Sequence, residues 1–201
     1  ALGIIADTAG VKMGELGTTT FRPPYTPLTF GTIVGRNVGK FFDIFRRTPM
    51  NDWHVENKAE FENVGQWKRA WYYPINGETM HQAVQRESKA ARESAGILDA
   101  STLGKIDIQG SDASEFLNRV YTNAWLKLPV GKARYGVMLR EDGIVMDDGT
   151  TTRISENHYH MTTTTAQAAN VLSHLEYYLQ LVWPELNVNV VSTTEQWAGA
   201  A

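Results

Sequence analysis

The order of hydrophobic patterns after residue 97 is the sequence feature that most constrains the fold. Residues 105–109 alternate between polar and apolar side chains, which is typical of a half-buried strand. Residues 111–121 place their apolar side chains on one helical face, and we expect Ser111 to cap that helix. Alternation on both sides of the turn Glu141-Asp-Gly143 predicts a hairpin over residues 135–154.

Three further elements follow the hairpin. Residues 159–162 predict another strand, and residues 168–182 give the strongest helical pattern in the chain before Pro184 ends it. Residues 186–190 alternate as a last strand. The order strand, helix, hairpin, strand, helix, strand predicts an α+β fold with a ferredoxin-like split βαβ core.

The N-terminal part of the chain has a different pattern. Residues 1–77 are rich in Gly, Pro and aromatic residues and show no lasting periodicity, so we expect an irregular N-terminal extension that links or contacts other parts of the protein. Prolines make residues 18–27 an extended strap. A helix predicted over residues 80–95 opens the domain expected at 78–201, and the aromatic side chains before it need a covering neighbour.

Charge and composition exclude several classes of function. The formal net charge is −3 and the basic residues are scattered, which disfavours a nucleic-acid partner. The absence of cysteine excludes disulfides, thiolate metal sites and cysteine nucleophiles. Apolar runs are far shorter than the roughly 20 residues of a spanning helix, and no signal-peptide pattern opens the sequence. We therefore expect a cytoplasmic protein with no membrane partner.

Two apparent motifs fail on spacing or number. The segment Gly35-Arg-Asn-Val-Gly-Lys40 has one residue too few between its glycines for a phosphate-binding loop, and no dinucleotide-binding glycine fingerprint follows a predicted strand. His158 and His160 share one face of a strand, as two metal ligands would. An exposed strand face explains them better, since no third ligand has a matching spacing, and we expect no metal.

The most suggestive polar group is Asp147-Asp-Gly149, followed by threonines at 150–152 and again at 162–165. Adjacent carboxylates raise each other's pKa when they are buried together, which gives a general base or an anion that orients a cationic amine. Ordinary turn chemistry and strand-forming threonines explain the same residues. The residues alone leave both interpretations open.

The same region resembles the aminomethyltransferase family, typified by the T-protein of the glycine cleavage system. That resemblance lies in three segments, residues 96–110, 135–139 and 143–148. The alpha subunits of heterotetrameric sarcosine oxidases form a branch of the family that the chain resembles more closely. The motifs shared with this branch are Gly17-Thr-Thr-Thr-Phe-Arg-Pro-Pro-Tyr-Thr-Pro27, Thr48-Pro-Met-Asn-Asp-Trp-His54, Gly65-Gln-Trp-Lys-Arg69 and Tyr121-Thr-Asn-Ala-Trp125.

The resemblance implies a tetrahydrofolate site. By motif position the second acid of the pair, Asp148, lies at the pterin and is the catalytic residue, while Asp147 supports the turn. Tyr135 matches a tyrosine that contacts the same ligand. The full set of folate-binding residues implied is Tyr135, Asp148, Thr150, Thr152, Thr162 and Thr164.

The resemblance also implies a reaction and partners. Sarcosine is oxidised at FMN on a beta subunit, and its one-carbon unit passes to tetrahydrofolate to give 5,10-methylenetetrahydrofolate and glycine. Members of the branch carry FAD and NAD on an N-terminal dinucleotide-binding half, continue into a C-terminal barrel, and assemble with beta, gamma and delta subunits. We expect this chain to be a catalytically incomplete fragment comprising the first part of the folate-binding domain.

Two other functions fit the sequence. One is a folate-dependent aminomethyltransferase or demethylase of the same fold that acts on dimethylglycine or a sulfonium compound. The other is a non-catalytic interaction module that has kept the fold and lost the chemistry. Tests with different methyl donors distinguish the first, and failure of the intact complex to bind folate favours the second.

Overall fold

The structure is a computed structural model that describes residues 2–15 and 46–201. Contacts divide the chain into two compact units, residues 1–43 and 44–201. In the first unit, helix α1 (Leu2–Ala9) precedes a short 3-10 turn at Met13–Glu15. The strap at 18–27 and the glycine segment at 35–40 lie outside the described residues. Across the described ranges, no helix has the length and apolar character that a membrane span requires.

The second unit opens with a three-stranded sheet. Its strands are β1 (Arg46–Arg47), β2 (Glu60–Val64) and β3 (Trp67–Tyr72), arranged in the order β1-β3-β2 with helix α2 (Asn51–Glu56) between β1 and β2. Strands β2 and β3 form an antiparallel hairpin, and β1 runs parallel to β3. Gly65 takes a φ of 59° at the hairpin turn, a conformation that favours glycine.

Helix α3 (Met80–Glu93) confirms the helix predicted over residues 80–95. Thr79 caps it through a capping box: its hydroxyl accepts from the backbone N–H of Gln82, whose side chain accepts in return from the Thr79 N–H. Arg86 binds Glu78 and donates to the Tyr73 carbonyl at 2.7 Å. The cap and this arginine together fix the chain that leads from β3 into α3.

A five-stranded antiparallel sheet forms the centre of the second unit. Its strands lie in the order β5-β6-β7-β4-β8. Helix α4 (Ala113–Val120) follows β4, and helix α5 (Ala168–Tyr177) follows β7. The strands are β4 (Gly104–Gln109), β5 (Ala133–Leu139), β6 (Val145–Ser155), β7 (His158–Thr163) and β8 (Asn189–Ser192).

This topology confirms the predicted α+β fold. Strands β4, β6, β7 and β8 with helices α4 and α5 make the split βαβ arrangement, in which β7 lies between the parallel strands β4 and β6. The predicted hairpin supplies one strand more than this arrangement needs. That strand, β5, pairs with β6 and forms an edge of the sheet.

The hydrophobic core lies on one face of the sheet, beneath α4 and α5. Side chains of β4 and β7 meet the apolar faces of both helices there. Burial of this kind stabilises the fold by about 25 cal/mol for each Å² of apolar surface removed from water. The largest fully buried side chains are those of Trp125, Tyr159, Phe116, Ile106, Ile108, Leu117, Met138, Met161 and Leu175.

Two sequence predictions about this domain need correction. Ser111 does not cap α4: Asp112 occupies the N-cap position, and no side chain there bonds to the first turn. The last strand begins at Asn189 instead of residue 186. Asn187 accounts for this later start. Its N–H donates to the Asp112 carboxylate at 2.8 Å. Its carbonyl oxygen lies 2.0 Å from the position that a Cβ on Gly110 would take. The chain therefore joins the sheet at Asn189, three residues later than predicted.

A buried polar chain ties residues 46–77 to the rest of the unit. His54, which is 3% exposed, contacts the Asp99 carboxylate through Nε2 at 2.8 Å and the Tyr73 hydroxyl through Nδ1 at 2.6 Å. Burial raises the pKa of Asp99, but hydrogen bonds from Ser101, Thr48 and His54 outweigh it and leave that pKa below its ordinary value. The division expected at residue 77 stays a prediction, although the compact unit extends to residue 44.

The aromatic side chains before residue 78 are unequally covered. Trp67 is buried, with the Arg46 guanidinium 4.2 Å from the centre of its ring. Trp53 and Trp71 are 48% and 50% exposed. Half of the surface of these two rings therefore remains in contact with solvent.

Asp107 joins β4 to β7 on the sheet face opposite the core. Its two carboxylate oxygens contact His160 Nδ1 at 2.6 Å and His158 Nε2 at 3.0 Å. Partial burial raises the pKa of Asp107, but the hydrogen bonds to His160 and His158 outweigh it, so the pKa lies below its ordinary value. The two histidines are thus partners of a carboxylate, which the spacing in the sequence did not indicate. That the pair holds no metal stays a prediction.

We predict that Asp107→Asn lowers the free energy of unfolding by about 1 kcal/mol near neutral pH. The folded carboxyl has a lowered pKa, so its contribution is complete above its unfolded pKa of about 3.9 and is lost as the pH falls through the folded pKa. Urea unfolding at several pH values measures this. The control is Glu176→Gln, on an exposed face of α5. A difference that persists unchanged below about pH 3 contradicts the account.

Candidate functional site

The sheet separates its side chains into a core face and a polar face. Burial alternates along β7, and cross-strand register places Tyr135 opposite Thr150 and Lys105 opposite Thr162. Tyr135, Asp148, Thr150 and Thr162 therefore share the face opposite the helices. Tyr135 is 59% exposed, which leaves its ring open to a ligand.

Strands β6 and β7 meet unusually closely beside Asp148. The regular β6–β7 pairing ends at Thr151, and beyond it the Thr162 hydroxyl replaces a backbone partner, accepting from the Thr150 N–H at 3.0 Å. The two threonine hydroxyls also lie 3.0 Å apart. A Cβ on Gly149 would stand 2.1 Å from the Thr162 carbonyl oxygen. Glycine is therefore required at this crossing.

A cleft of about 540 Å³ opens at this crossing, a volume within the range of small-molecule sites. Tyr135, Asp148, Thr150, Thr162 and Thr164 all line it. Thr152 lies outside it, further along β6, where it pairs with His160. The remaining lining residues are Val64, Arg69, Leu103, Gly149, Thr163 and Thr165.

The two adjacent aspartates have different environments. Asp147 is 6% exposed and accepts from the Thr164 N–H at 3.0 Å, so it holds the end of β7 in place. Asp148 is half-buried, lines the cleft, and accepts no side-chain hydrogen bond from the described part of the chain. Chemically, Asp148 is therefore the carboxylate available to a ligand, and Asp147 is a structural acceptor.

Tyr121 adds a buried hydroxyl near the same carboxylates. Burial raises the pKa of Tyr121, and the charges of Asp147 and Asp148 raise it further. Its ring lies over Gly136, where a Cβ would come within 3.0 Å of it. Tyr121 therefore stays protonated and packs beneath the hairpin that carries Tyr135 and Asp148.

A second cleft, of about 730 Å³, lies between α2 and α3. Its walls are largely apolar and include Trp53, Ile97 and Leu98, with His54 and Tyr73 at its polar side. Both ring nitrogens of His54 are already engaged within the protein. This cleft therefore offers less unpaired polar chemistry than the cleft at Asp148.

Comparison with known proteins defines the family. The GCVT N-terminal domain matches residues 50–201, which include both clefts and the five-stranded sheet. The chain belongs to this family. The match takes in residues 50–77, in agreement with the contacts that tie α2 and the three-stranded sheet to the central domain.

The chain is similar to proteins with two kinds of name. The chain is 56% identical over 202 residues to sarcosine oxidase subunit alpha of Corynebacterium sp. (strain P-1), and 54% identical to that of Rhizobium meliloti (strain 1021). These matches cover 100% of this chain and 21% and 20% of the two relatives. An aminomethyltransferase of Thermotoga neapolitana is 30% identical over 76% of the chain and 39% of its own length. The chain thus spans about a fifth of the sarcosine oxidase subunits it matches.

A solved structure confirms the fold. The aminomethyltransferase T of the glycine cleavage system from Bartonella henselae superposes with a TM-score of 0.64 at 24% sequence identity. The superposition covers 73% of this chain and 38% of that protein.

The structure adds lining residues that sequence reasoning missed. Arg69 and Val64 reach the cleft from the β2–β3 hairpin, and Leu103 reaches it from the turn before β4. Arg69 belongs to a segment noted for its resemblance, but no spacing rule relates it to Asp148, 79 positions later in the sequence. Contact between such distant segments follows from the tertiary packing, which local periodicity does not encode.

We predict that Gly149→Ala lowers the free energy of unfolding by roughly 1–3 kcal/mol, the usual cost of forcing a methyl group into closely packed structure. The added Cβ must displace the Thr162 carbonyl and so separate β6 from β7 at the cleft. Chemical denaturation measures the change. Gly14→Ala is the control, because a Cβ there meets no atom within 4 Å. Equal stability of the Gly149→Ala variant and the parent contradicts the close crossing.

Proposed function

We propose that this chain forms the tetrahydrofolate-binding part of a sarcosine-oxidising enzyme, and that its site transfers a one-carbon unit. Sarcosine oxidised by two electrons is an imine, CH2=N–CH2–COO⁻. Addition of tetrahydrofolate to its methylene carbon and release of the nitrogen give 5,10-methylenetetrahydrofolate and glycine. The relatives named sarcosine oxidase subunit alpha and aminomethyltransferase support the two halves of this proposal.

The observation that carries the proposal is the environment of Asp148. A carboxylate without a side-chain partner in the described protein lies in the same cleft as an exposed tyrosine ring and three strand threonines. A reduced pterin presents N–H donors and a flat ring, which a carboxylate, hydroxyls and an aromatic side chain can bind. The lining residues thus fit the ligand in both chemistry and volume.

Within this proposal Asp148 has two tasks. Its carboxylate accepts hydrogen bonds from the pterin and orients it, and it favours the positive charge of a protonated imine in the same cleft. It also accepts the proton released when a folate nitrogen forms its bond to carbon. Thr150, Thr162 and Thr164 supply hydroxyl or backbone partners around it, and Asp147 keeps Thr164 in position. Thr152 is a contact in this proposal only if the ligand extends along β6 beyond the cleft.

The cofactors and partners of the whole enzyme form part of the same proposal. FAD and NAD would lie on other domains, since no dinucleotide fingerprint follows a strand in this sequence. FMN would lie on the beta subunit. Beta, gamma and delta subunits, an N-terminal dinucleotide-binding domain and a C-terminal barrel would complete a cytoplasmic assembly. The half-exposed Trp53 and Trp71 are available to contact such neighbours.

We predict that Asp148→Asn weakens binding of 5-formyltetrahydrofolate, a stable reduced folate, by roughly ten- to a hundredfold, because a charge-assisted hydrogen bond contributes about 1.5–3 kcal/mol. Calorimetric titration of the parent and variant chains measures the change. Asp142→Asn, in the exposed β5–β6 turn, is the matched control and should bind as the parent does. Equal affinity of parent and Asp148→Asn, or absence of binding by the parent, contradicts the proposal.

A further inference from the structure

The Asp148 cleft has a second wall that none of the residues predicted from the sequence supplies. Val64 and Arg69 contribute it from the β2–β3 hairpin, which belongs to the smaller sheet. Among the described residues that line the cleft, Asp148 is the one acid and Arg69 the one base. The cleft therefore has a negative group on the large sheet and a positive group on the small one.

Only some of the N–H donors of the Arg69 guanidinium form hydrogen bonds within the described residues. Its Nε and Nη2 atoms both donate to Oε1 of Glu62, at 2.9 Å and 2.6 Å. Nη1 donates no hydrogen bond within the described residues. The side chain is 36% exposed, and that of Glu62 is 29% exposed. Arginine has five N–H donors in a planar fork, so a second carboxylate can bind on the side that Glu62 leaves open.

We propose that Arg69 is the carboxylate-binding residue of this site and holds the glutamate end of a reduced folate, an inference that rests on the function proposed above. A folate carries its N–H-rich pterin at one end and the two carboxylates of its glutamate at the other. Asp148 and Arg69 have the signs that match these two ends. Arg69 thereby selects a folate over a pterin that has no acidic tail.

The competing explanation is that Arg69 serves only the small sheet. Glu62 and Arg69 are direct cross-strand partners in the β2–β3 hairpin, and such a pair stabilises a sheet whether or not a ligand binds. The two explanations differ in what they predict for Glu62. If the pair is purely structural, removing either charge has the same effect on folate binding. If Arg69 binds the ligand, removing the Glu62 charge frees the guanidinium for it.

The test is calorimetric titration of the parent, Arg69→Gln and Glu62→Gln chains with 5-formyltetrahydrofolate and with its bis-amide, in which both glutamate carboxylates are neutral. Arg69→Gln should weaken folate binding by about tenfold, the lower end for a charged hydrogen bond because the site is partly exposed. It should leave the affinity for the bis-amide unchanged. Glu62→Gln should bind folate at least as tightly as the parent does. Arg140→Gln, at the exposed end of β5, is the charge-matched control and should match the parent.

Each other outcome contradicts a defined claim. If the parent binds folate and Arg69→Gln binds it equally well, the role of Arg69 is wrong while the proposed folate function stands. The role is also wrong if Arg69→Gln and Glu62→Gln weaken both ligands to the same extent, because that is the result of a structural pair. If the parent does not bind folate, the proposed function falls and the role of Arg69 falls with it.

Discussion

The close crossing of β6 and β7 at Gly149 is the constraint on which the candidate site depends. A carbonyl of β7 occupies the space that a side chain at residue 149 would need. The crossing lets the Thr162 hydroxyl take the place of a backbone partner for Thr150, and it ends the regular pairing at Thr151. The cleft opens where the ladder stops. Asp148, one residue before the glycine, is thereby placed at the cleft while Asp147 turns to the end of β7.

Two sheets build the cleft, and they contribute opposite charges. The large sheet is a ferredoxin-like core whose apolar face is covered by α4 and α5, which leaves its other face free for polar side chains. The small sheet is fixed to the same unit through the buried contact of His54 with Asp99. Because both sheets belong to one compact unit, Arg69 and Asp148 face one cleft although they lie far apart in the sequence.

Much of this fold follows from local patterns in the sequence. The alternation around Ile106 and Ile108 and the helical spacing of residues 168–182 each arise from one element burying one face, so they identify strand and helix directly. The last strand begins three residues later than its alternation predicts, because Asn187 bonds to Asp112, a contact between distant segments. The pairing of His158 and His160 with Asp107 likewise depends on the β4–β7 register, which no local pattern specifies.

The candidate site likewise combines features that the sequence predicts with contacts that only the folded structure shows. The acidic pair and the threonine runs are visible in the sequence, and the resemblance to a family implied that they bind tetrahydrofolate. The resemblance also pointed to Asp148 as the acid at the ligand, and the structure places Asp148 in the cleft. That Arg69 lines the same cleft follows only from packing. The most direct test of the account is a crystal structure of this chain with 5-formyltetrahydrofolate bound. We predict that the pterin lies within hydrogen-bonding distance of the Asp148 carboxylate, beside Tyr135. A folate bound instead in the cleft between Trp53 and Leu98, with Asp148 left in solvent, would contradict it.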